Sequence, residues 1–310
     1  MDGPYGLDGA VAVVTGAGAG LGRAEALGLA AAGARLVLND LPGRCGTDAV
    51  EAVAAEIAAA GGEAVLCPGD IGEWTTAQAL LAAALDAYGR LDVVVNNAGV
   101  LRDRMVFSLS EEDWDLVLRV HLRGHFVTTR IATAYWRERS KITGAPVHGR
   151  IVNTSSEAFL LAPPGQANYA AAKAGIVALT ASTARACGRY GVRANAICPR
   201  ARTAMTAGLM GPAPDGADPF APEHVAPLVT YLAGPAARRI NGEVFVVHGG
   251  LVALMAPPTV RASFRTDDGA SWTPAGLDGA FDKLFPRSDA GAEPPVGFVC
   301  EETLPLAGDA

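Results

Sequence analysis

The sequence predicts an α/β fold: a doubly wound parallel sheet of about seven strands with helices on both faces, followed by a C-terminal extension. Three features carry that expectation. Short β-branched runs alternate with longer Ala-rich stretches of helical pattern. Most of the short runs are apolar throughout, as strands covered on both faces require. The first run leads straight into a glycine-rich segment that opens a helix. The chain has 310 residues, half of them hydrophobic, which is ample for one sizeable core.

In chain order the expected strands are "AVAVVT" (10–15), "RLVLND" (35–40), "EAVLC" (63–67), "LDVVVN" (91–96), "RIVNTS" (150–155), "VRANAI" (192–197) and "EVFVVH" (243–248). Between them lie helical stretches such as "GRAEALGLAAAG", "TDAVEAVAAEIAAAGG", "TTAQALLAAALDAYG" and "EEDWDLVLRVHLRGHFVTTRIATAYWRERS". Residues 203–222, rich in Pro, Gly and Ala, break the rhythm. A loop this long in a compact domain is usually functional or disordered, and flexibility is expected here. After "HGGL" the strand–helix alternation is lost. One helix is expected beyond it, over 273–285, with Thr273 as N-cap and Pro274 at the first helical position. Residues 1–250 therefore read as one domain. Residues 251–310 read as an extension too thin to build its own core.

Charge and composition exclude several classes. The formal net charge of −7, with no basic cluster beyond short pieces such as "WRERSK", argues against a nucleic-acid surface. Cys45, Cys67, Cys187, Cys198 and Cys300 are scattered, with no C-x-x-C pair and no His at zinc-ligand spacing. They read as reduced thiols, and no metal is expected. The N-terminus has neither the basic region nor the apolar run of a signal peptide. No stretch approaches a membrane span, so a soluble, cytoplasmic protein is expected.

The chemistry-bearing pieces follow the strands. In "TGAGAGLGRAEAL", Gly16, Gly20 and Gly22 allow a tight turn and close approach to a pyrophosphate at a helix N-terminus. Tight helix–strand packing also needs glycines, and the spacing is G-x-x-x-G-x-G. Asp40 ends the second strand, where a carboxylate can accept from a ribose 2′-hydroxyl and repel a 2′-phosphate. That favours NAD over NADP, although Arg35 and Arg44 lie nearby in sequence and Asp40 could be a simple cap. "NNAG" (96–99) follows the fourth strand at the carboxyl edge; alone, such a piece is more often just a turn. The chain has only three lysines, Lys141, Lys173 and Lys283. Lys173 stands four residues after Tyr169, so on a helix the two share a face. An ammonium beside a phenol, together with a cofactor's positive charge, would lower the phenol's pKa toward that of a working acid/base. Ser156 is placed to hydrogen-bond the same oxygen. Each part has a bland alternative, since Tyr-x-x-x-Lys arises often by chance and a serine in "TSSE" can simply cap.

Taken together, "TGAGAGLG", "NNAG", Ser156 thirteen residues before Tyr169, and "YAAAK" resemble the short-chain dehydrogenase/reductase family over about residues 7–250. The resemblance implies a Rossmann-type doubly wound sheet and an NAD-dependent enzyme that interconverts a secondary alcohol and a ketone. It implies that Tyr169 is the general acid/base, that Ser156 orients the substrate oxygen, and that Lys173 also holds the nicotinamide ribose. The cofactor set it implies adds Leu21, Asp70 toward the adenine, Ile71, Asn97, Ala98, Gly99, Pro199 and Thr203. Two positions depart from the family. His121 stands where an asparagine usually supports the proton relay, and could substitute for it or simply pack. Arg200 follows Pro199 where glycine is usual.

"LVLNDLPG", "VHLRG", "PRARTAMT" and "PEHVAPLVTYL" resemble the dehydrogenase portion of peroxisomal multifunctional enzymes and their bacterial relatives. The substrates this implies are 3-hydroxyacyl-CoA thioesters or steroid 17β-hydroxyls. Candidate substrate contacts are Gln166, Met205 and Arg200, the last with Arg202 toward a phosphorylated or CoA group. The arginines could equally pair with acids at a subunit contact, and Gln166 could be an ordinary loop residue. The runner-up is a biosynthetic ketoreductase on a polyketide-like carbonyl; a non-catalytic cofactor-binding regulator is a distant third. Homotetramers or homodimers are expected from the resemblance. The tail aromatics Trp272, Phe281, Phe285 and Phe298 could pack over a neighbour's cleft or their own.

Overall fold

In the computed structural model, residues 6–42, 46–214, 216–266, 269–282 and 284–285 are described. One sheet runs through the chain in the order β3-β2-β1-β4-β5-β6-β7-β8. Its strands are β1 (Val11–Thr15), β2 (Arg35–Asn39), β3 (Ala64–Leu66), β4 (Val93–Asn96), β5 (Gly149–Thr154), β6 (Val192–Pro199), β7 (Val244–His248) and β8 (Leu251–Leu254). All neighbours are parallel except β7 and β8. The chain runs outward from β1 to β3, then returns to lay β4 beside β1. That reversal opens a crevice at the carboxyl ends of β1 and β4, the place where such sheets take ligands.

The sheet has one strand more than expected. β8 lies in the stretch read as the start of the extension, and it pairs antiparallel with β7. Gly249 and Gly250 form the two-residue reversal between them, with Gly249 at φ 48°. A Gly-Gly pair between two apolar runs is a hairpin signal, so this strand was visible in "HGGLVAL".

Both faces of the sheet are covered. Successive β1 residues alternate between two cores: Ala12 and Val14 join one cluster, Val11 and Val13 the other. The first core takes Ala26 and Leu29 from α1 (Gly20–Ala31), Val50 and Val53 from α2 (Gly46–Ala59), and Val229 and Leu232 from α9 (Ala226–Ala233). The second takes Leu80 from α3 (Trp74–Tyr88) and Ala132 and Trp136 from α5 (Gly124–Thr143). This is why the strands read as continuous apolar runs.

The expected single helix over "EEDWDLVLRVHLRG…" is α4 (Glu111–Leu118), a π-helical turn at Arg119–Arg123, and α5. Ser110 caps its start by accepting from the Asp113 amide. α7 (Ala167–Cys187) follows the fifth strand after the four-residue α6 (Ala158–Leu161). Between β4, β5 and these helices runs a buried polar chain. Thr128 donates to Asn96, Asn96 to Asn153, and Asn153 to Thr180, at 2.6, 2.9 and 2.8 Å.

The segment expected to be a flexible loop over 203–222 holds the short helix α8 (Ala207–Met210). It is tied down by Arg202, which bonds Asp218 at 2.8 Å and the Met210 carbonyl at 2.7 Å, and also reaches the Gly211 carbonyl.

The chain divides into two compact units, one within Met1–Met255 and one within Ala256–Val299. In the second, α10 (Pro274–Phe281) begins at the expected cap, Thr273 accepting from the Gly276 amide. Phe264, Phe281 and Phe285 stack edge to face within it. Phe298, Lys283, Arg44, Cys45 and Cys300 lie outside the described residues. Among the described residues, no helix is long and apolar enough to cross a membrane.

Candidate active site

At the carboxyl edge, a cleft of about 290 Å³ runs from the glycine-rich loop to the start of α7. Gly16, Gly20, Leu21, Asn97, Ala98, Gly99, His121, Ser156, Tyr169, Lys173, Pro199, Thr203 and Met205 line it. Most of the residues singled out in the sequence are therefore brought together.

The glycines are there for space. A Cβ on Gly16, whose φ is 65°, would come within 2.8 Å of the Ala98 Cα, and one on Gly22 would run into the Gly16 carbonyl oxygen. Gly18, not singled out before, is equally constrained: its amide donates to Asp40 at 2.9 Å, and an added Cβ would meet that carboxylate. Asp40 also accepts from the Leu41 amide at 2.8 Å. It thus closes the loop while presenting a carboxylate beside it. Asn97 joins strand ends, its amide donating to the Thr15 and Gly16 carbonyls at 3.1 and 3.2 Å. The bare backbone cradle between β1, α1 and β4 suits a dinucleotide, whose pyrophosphate would meet the α1 N-terminus.

Asp70 and Ile71 stand apart from this cleft lining. Asp70 accepts from the Gly72 amide and pairs with Arg119 at 2.7 Å. Ile71 is buried in the second core, where it faces Gly124. Asn39 holds the loop that carries them, donating to the Cys67 and Gly69 carbonyls.

Around the catalytic candidates, helical periodicity places Tyr169 and Lys173 on one face of α7. Lys173 Nζ lies 5.3 Å from the centre of the Tyr169 ring and donates to the Thr154 carbonyl at 2.6 Å. Asn168 accepts from the Tyr169 amide at 2.8 Å while donating to the Arg102 carbonyl. Ser155 locks the same helix, donating to the Lys173 carbonyl at 3.0 Å. Thr154, Ser155 and Asn168 were missed in the sequence because Lys173 and Arg102, which they bond, lie 18 to 66 residues away along the chain.

Burial pushes the Tyr169 phenol up to about 12, against the lowering effect of its hydrogen bond from Ser156. Burial also brings Lys173 down to about 7. Desolvation of the charged form is the leading cause of both shifts.

His121 reaches the cleft because the π turn carries it there. Its Nε2 lies 2.8 Å from the Val100 carbonyl oxygen and 3.1 Å from the Val100 amide, the tautomer deciding which bond forms. The ring stands edge-on to Tyr169 at 5.2 Å. Burial, then the Lys173 charge, holds its pKa well below the usual histidine value.

Three candidate substrate contacts have partners within the chain. Arg200 is buried and grips Glu157 with two hydrogen bonds of 2.6 and 2.9 Å. Arg202 is spent on its own loop, as described above. Both arginines pair with acids inside their own subunit. Gln166 lies outside the cleft and donates to Asp103 at 2.9 Å.

Known proteins agree with this architecture. The chain matches the short chain dehydrogenase family over residues 10–210. It belongs to that family. It is 55% identical over 304 residues to hydroxyacyl-CoA dehydrogenase ChsB1 of Mycobacterium tuberculosis, covering 96% of this chain and 94% of that one. It is 37% identical to mouse peroxisomal multifunctional enzyme type 2, covering 94% of this chain and 38% of that longer protein. A crystal structure of a short chain dehydrogenase from Mycobacterium avium superposes with a TM-score of 0.81 at 45% identity, covering 94% of this chain and 99% of that chain. The protein is thus a short-chain dehydrogenase, an oxidoreductase that acts on CH–OH groups and uses a nicotinamide cofactor.

Proposed function

We propose that this short-chain dehydrogenase interconverts 3-hydroxyacyl and 3-oxoacyl thioesters with NAD, using Ser156, Tyr169 and Lys173. The observation that carries the reading is their convergence in one cleft continuous with the Gly16–Gly22 cradle. The nicotinamide, when bound, supplies or accepts the hydride. Tyr169 passes a proton to the substrate oxygen during ketone reduction and takes it back during alcohol oxidation. Ser156 holds that oxygen by a hydrogen bond. Lys173, fixed on the Thr154 carbonyl, supplies a donor next to the phenol. The carboxylate of Asp40 beside Gly18 supports NAD, because a 2′-phosphate would meet like charge there.

The thioester class rests on the similarity to a hydroxyacyl-CoA dehydrogenase and on the half-exposed Met205 at the cleft wall. Acyl-CoA, steroid and small alcohols offered with NAD or NADP, and read by cofactor reduction, test it. Turnover of 3-hydroxyacyl-CoA with NAD is expected to exceed that with NADP by about tenfold or more. Turnover of steroids alone would overturn the substrate class. Tyr169→Phe is expected to lower kcat by about 10²–10⁴-fold with little change in NADH affinity. A near-normal rate in that variant would sink the mechanism.

A further inference from the structure

Arg200 stands where the family resemblance leads one to expect glycine, and the cleft makes no use of it. Its backbone amide bonds the Val247 carbonyl at 3.0 Å, fixing it between the ends of β6 and β7. Its guanidinium takes both oxygens of Glu157, the residue directly after Ser156. Nη1 lies 3.5 Å from His248 Nε2, which must be the acceptor because a guanidinium only donates. The His248 ring in turn lies 5.4 Å from that of Phe220, in the segment pinned by Arg202. One side chain therefore ties together the turn that carries Ser156, the cleft-lining Pro199 segment and the end of β7.

We propose that Arg200 is a positioning residue for the reaction: clamped on Glu157, it fixes the Ser156 turn against the end of β6 and so aims the Ser156 hydroxyl at the site beside Tyr169. The start of the turn is held at Ser155, whose amide bonds the Ile197 carbonyl at 2.7 Å and whose hydroxyl bonds the Lys173 carbonyl at 3.0 Å; beyond Ser156, the Glu157 side chain is held by Arg200. Ser156 Oγ itself accepts from the Ala158 amide at 3.2 Å, and the turn is otherwise a run of short-range bonds from 159–162 to carbonyls of 156–158. A bidentate, charge-assisted pair whose side chains are 10% and 16% exposed is a stiff tether. Lysine, a point charge on a flexible stem, cannot reproduce the fork.

The inference rests on Ser156 and Tyr169 being the catalytic pair, and the experiment separates the two ideas. Reduction of acetoacetyl-CoA by NADH is followed in wild type, Tyr169→Phe, Ser156→Ala, Arg200→Lys, Glu157→Gln and the double variant Ser156→Ala/Arg200→Lys. NADH Kd and Tm are measured alongside. Arg200→Lys and Glu157→Gln are expected to lose kcat by up to about 10²-fold, the scale of an ångström's misplacement. Their NADH Kd is expected to stay within about twofold of wild type.

In single-turnover experiments the double variant is expected to be no slower than Ser156→Ala, since Arg200 acts only through that serine. Normal kcat in both single variants would overturn the inference, as would a further slowing in the double variant. Should Arg200→Lys fail to fold, Glu157→Gln, alone and with Ser156→Ala, is held to the same criteria. A dead Tyr169→Phe beside normal Arg200 and Glu157 variants defeats this inference alone, whereas an active Tyr169→Phe defeats the catalytic reading beneath it.

Discussion

At the scale of single residues, Glu25 sets a pH dependence that the active site does not need. It is fully buried on α1, and neither carboxylate oxygen has a hydrogen-bond partner among the described residues. Burial raises its pKa from 4.5 to about 8. Between those values the folded chain keeps a proton that the unfolded chain has released, so stability is greatest at the acid end and falls as pH rises through the window. Lys173 works in the opposite sense. Its pKa falls from 10.5 to about 7, so the unfolded chain binds the extra proton and stability rises with pH between them. Comparing Glu25→Gln with wild type cancels the lysine contribution. The variant is expected to be more stable by a few kcal/mol, on the order of 2–5, at pH 9. Urea titrations should show the gap closing toward pH 5; a gap independent of pH would contradict the assignment. In "GRAEALGLA" this glutamate looks like any solvated helix residue, because only the packing of other elements around α1 makes it buried. Tyr169 and Lys173 were legible for the opposite reason: their pairing is written in the local period of one helix.

Among the elements, the π turn at Arg119–Arg123 is the one that shapes the site. It turns His121 inward against Gly99, where an added Cβ would run into the imidazole Cε1. Gly99→Ala is therefore expected to destabilise the protein by about 1–3 kcal/mol and to lower activity. His121→Asn, whose shorter side chain leaves room for a methyl group, is expected to relieve most of that loss when combined with Gly99→Ala. A double-mutant cycle by urea unfolding measures the coupling, and simple additivity would refute the contact. The sequence shows an unbroken helical stretch here. Nothing in its composition marks the wider turn, which depends on how α4 docks on α7 and α5 on α7 and the sheet. The short strand β8 and the Thr273 cap were readable, since a Gly-Gly reversal and an N-cap are local signals.

For the whole molecule, the boundary near Met255 and the antiparallel β8 make truncation informative. A chain ending after Met255 keeps the complete sheet and is expected to unfold cooperatively and to bind NADH. A chain ending after Gly250 lacks β8 and bares the β7 edge, and is expected to aggregate. Light scattering with far-UV circular dichroism distinguishes them, and equal behaviour of the two would show that β8 does not protect the sheet. The sequence by itself determined the doubly wound sheet, the glycine cradle and the Tyr169–Lys173 pair, because each depends on residues close in the chain or on a repeating period. Tertiary structure alone decided where Arg200, Arg202 and Gln166 point, how dry the phenol and the lysine are, and that Glu25 is buried. Those outcomes depend on which distant segments meet, and the free energy of a charge depends on what surrounds it in space rather than on its neighbours in sequence.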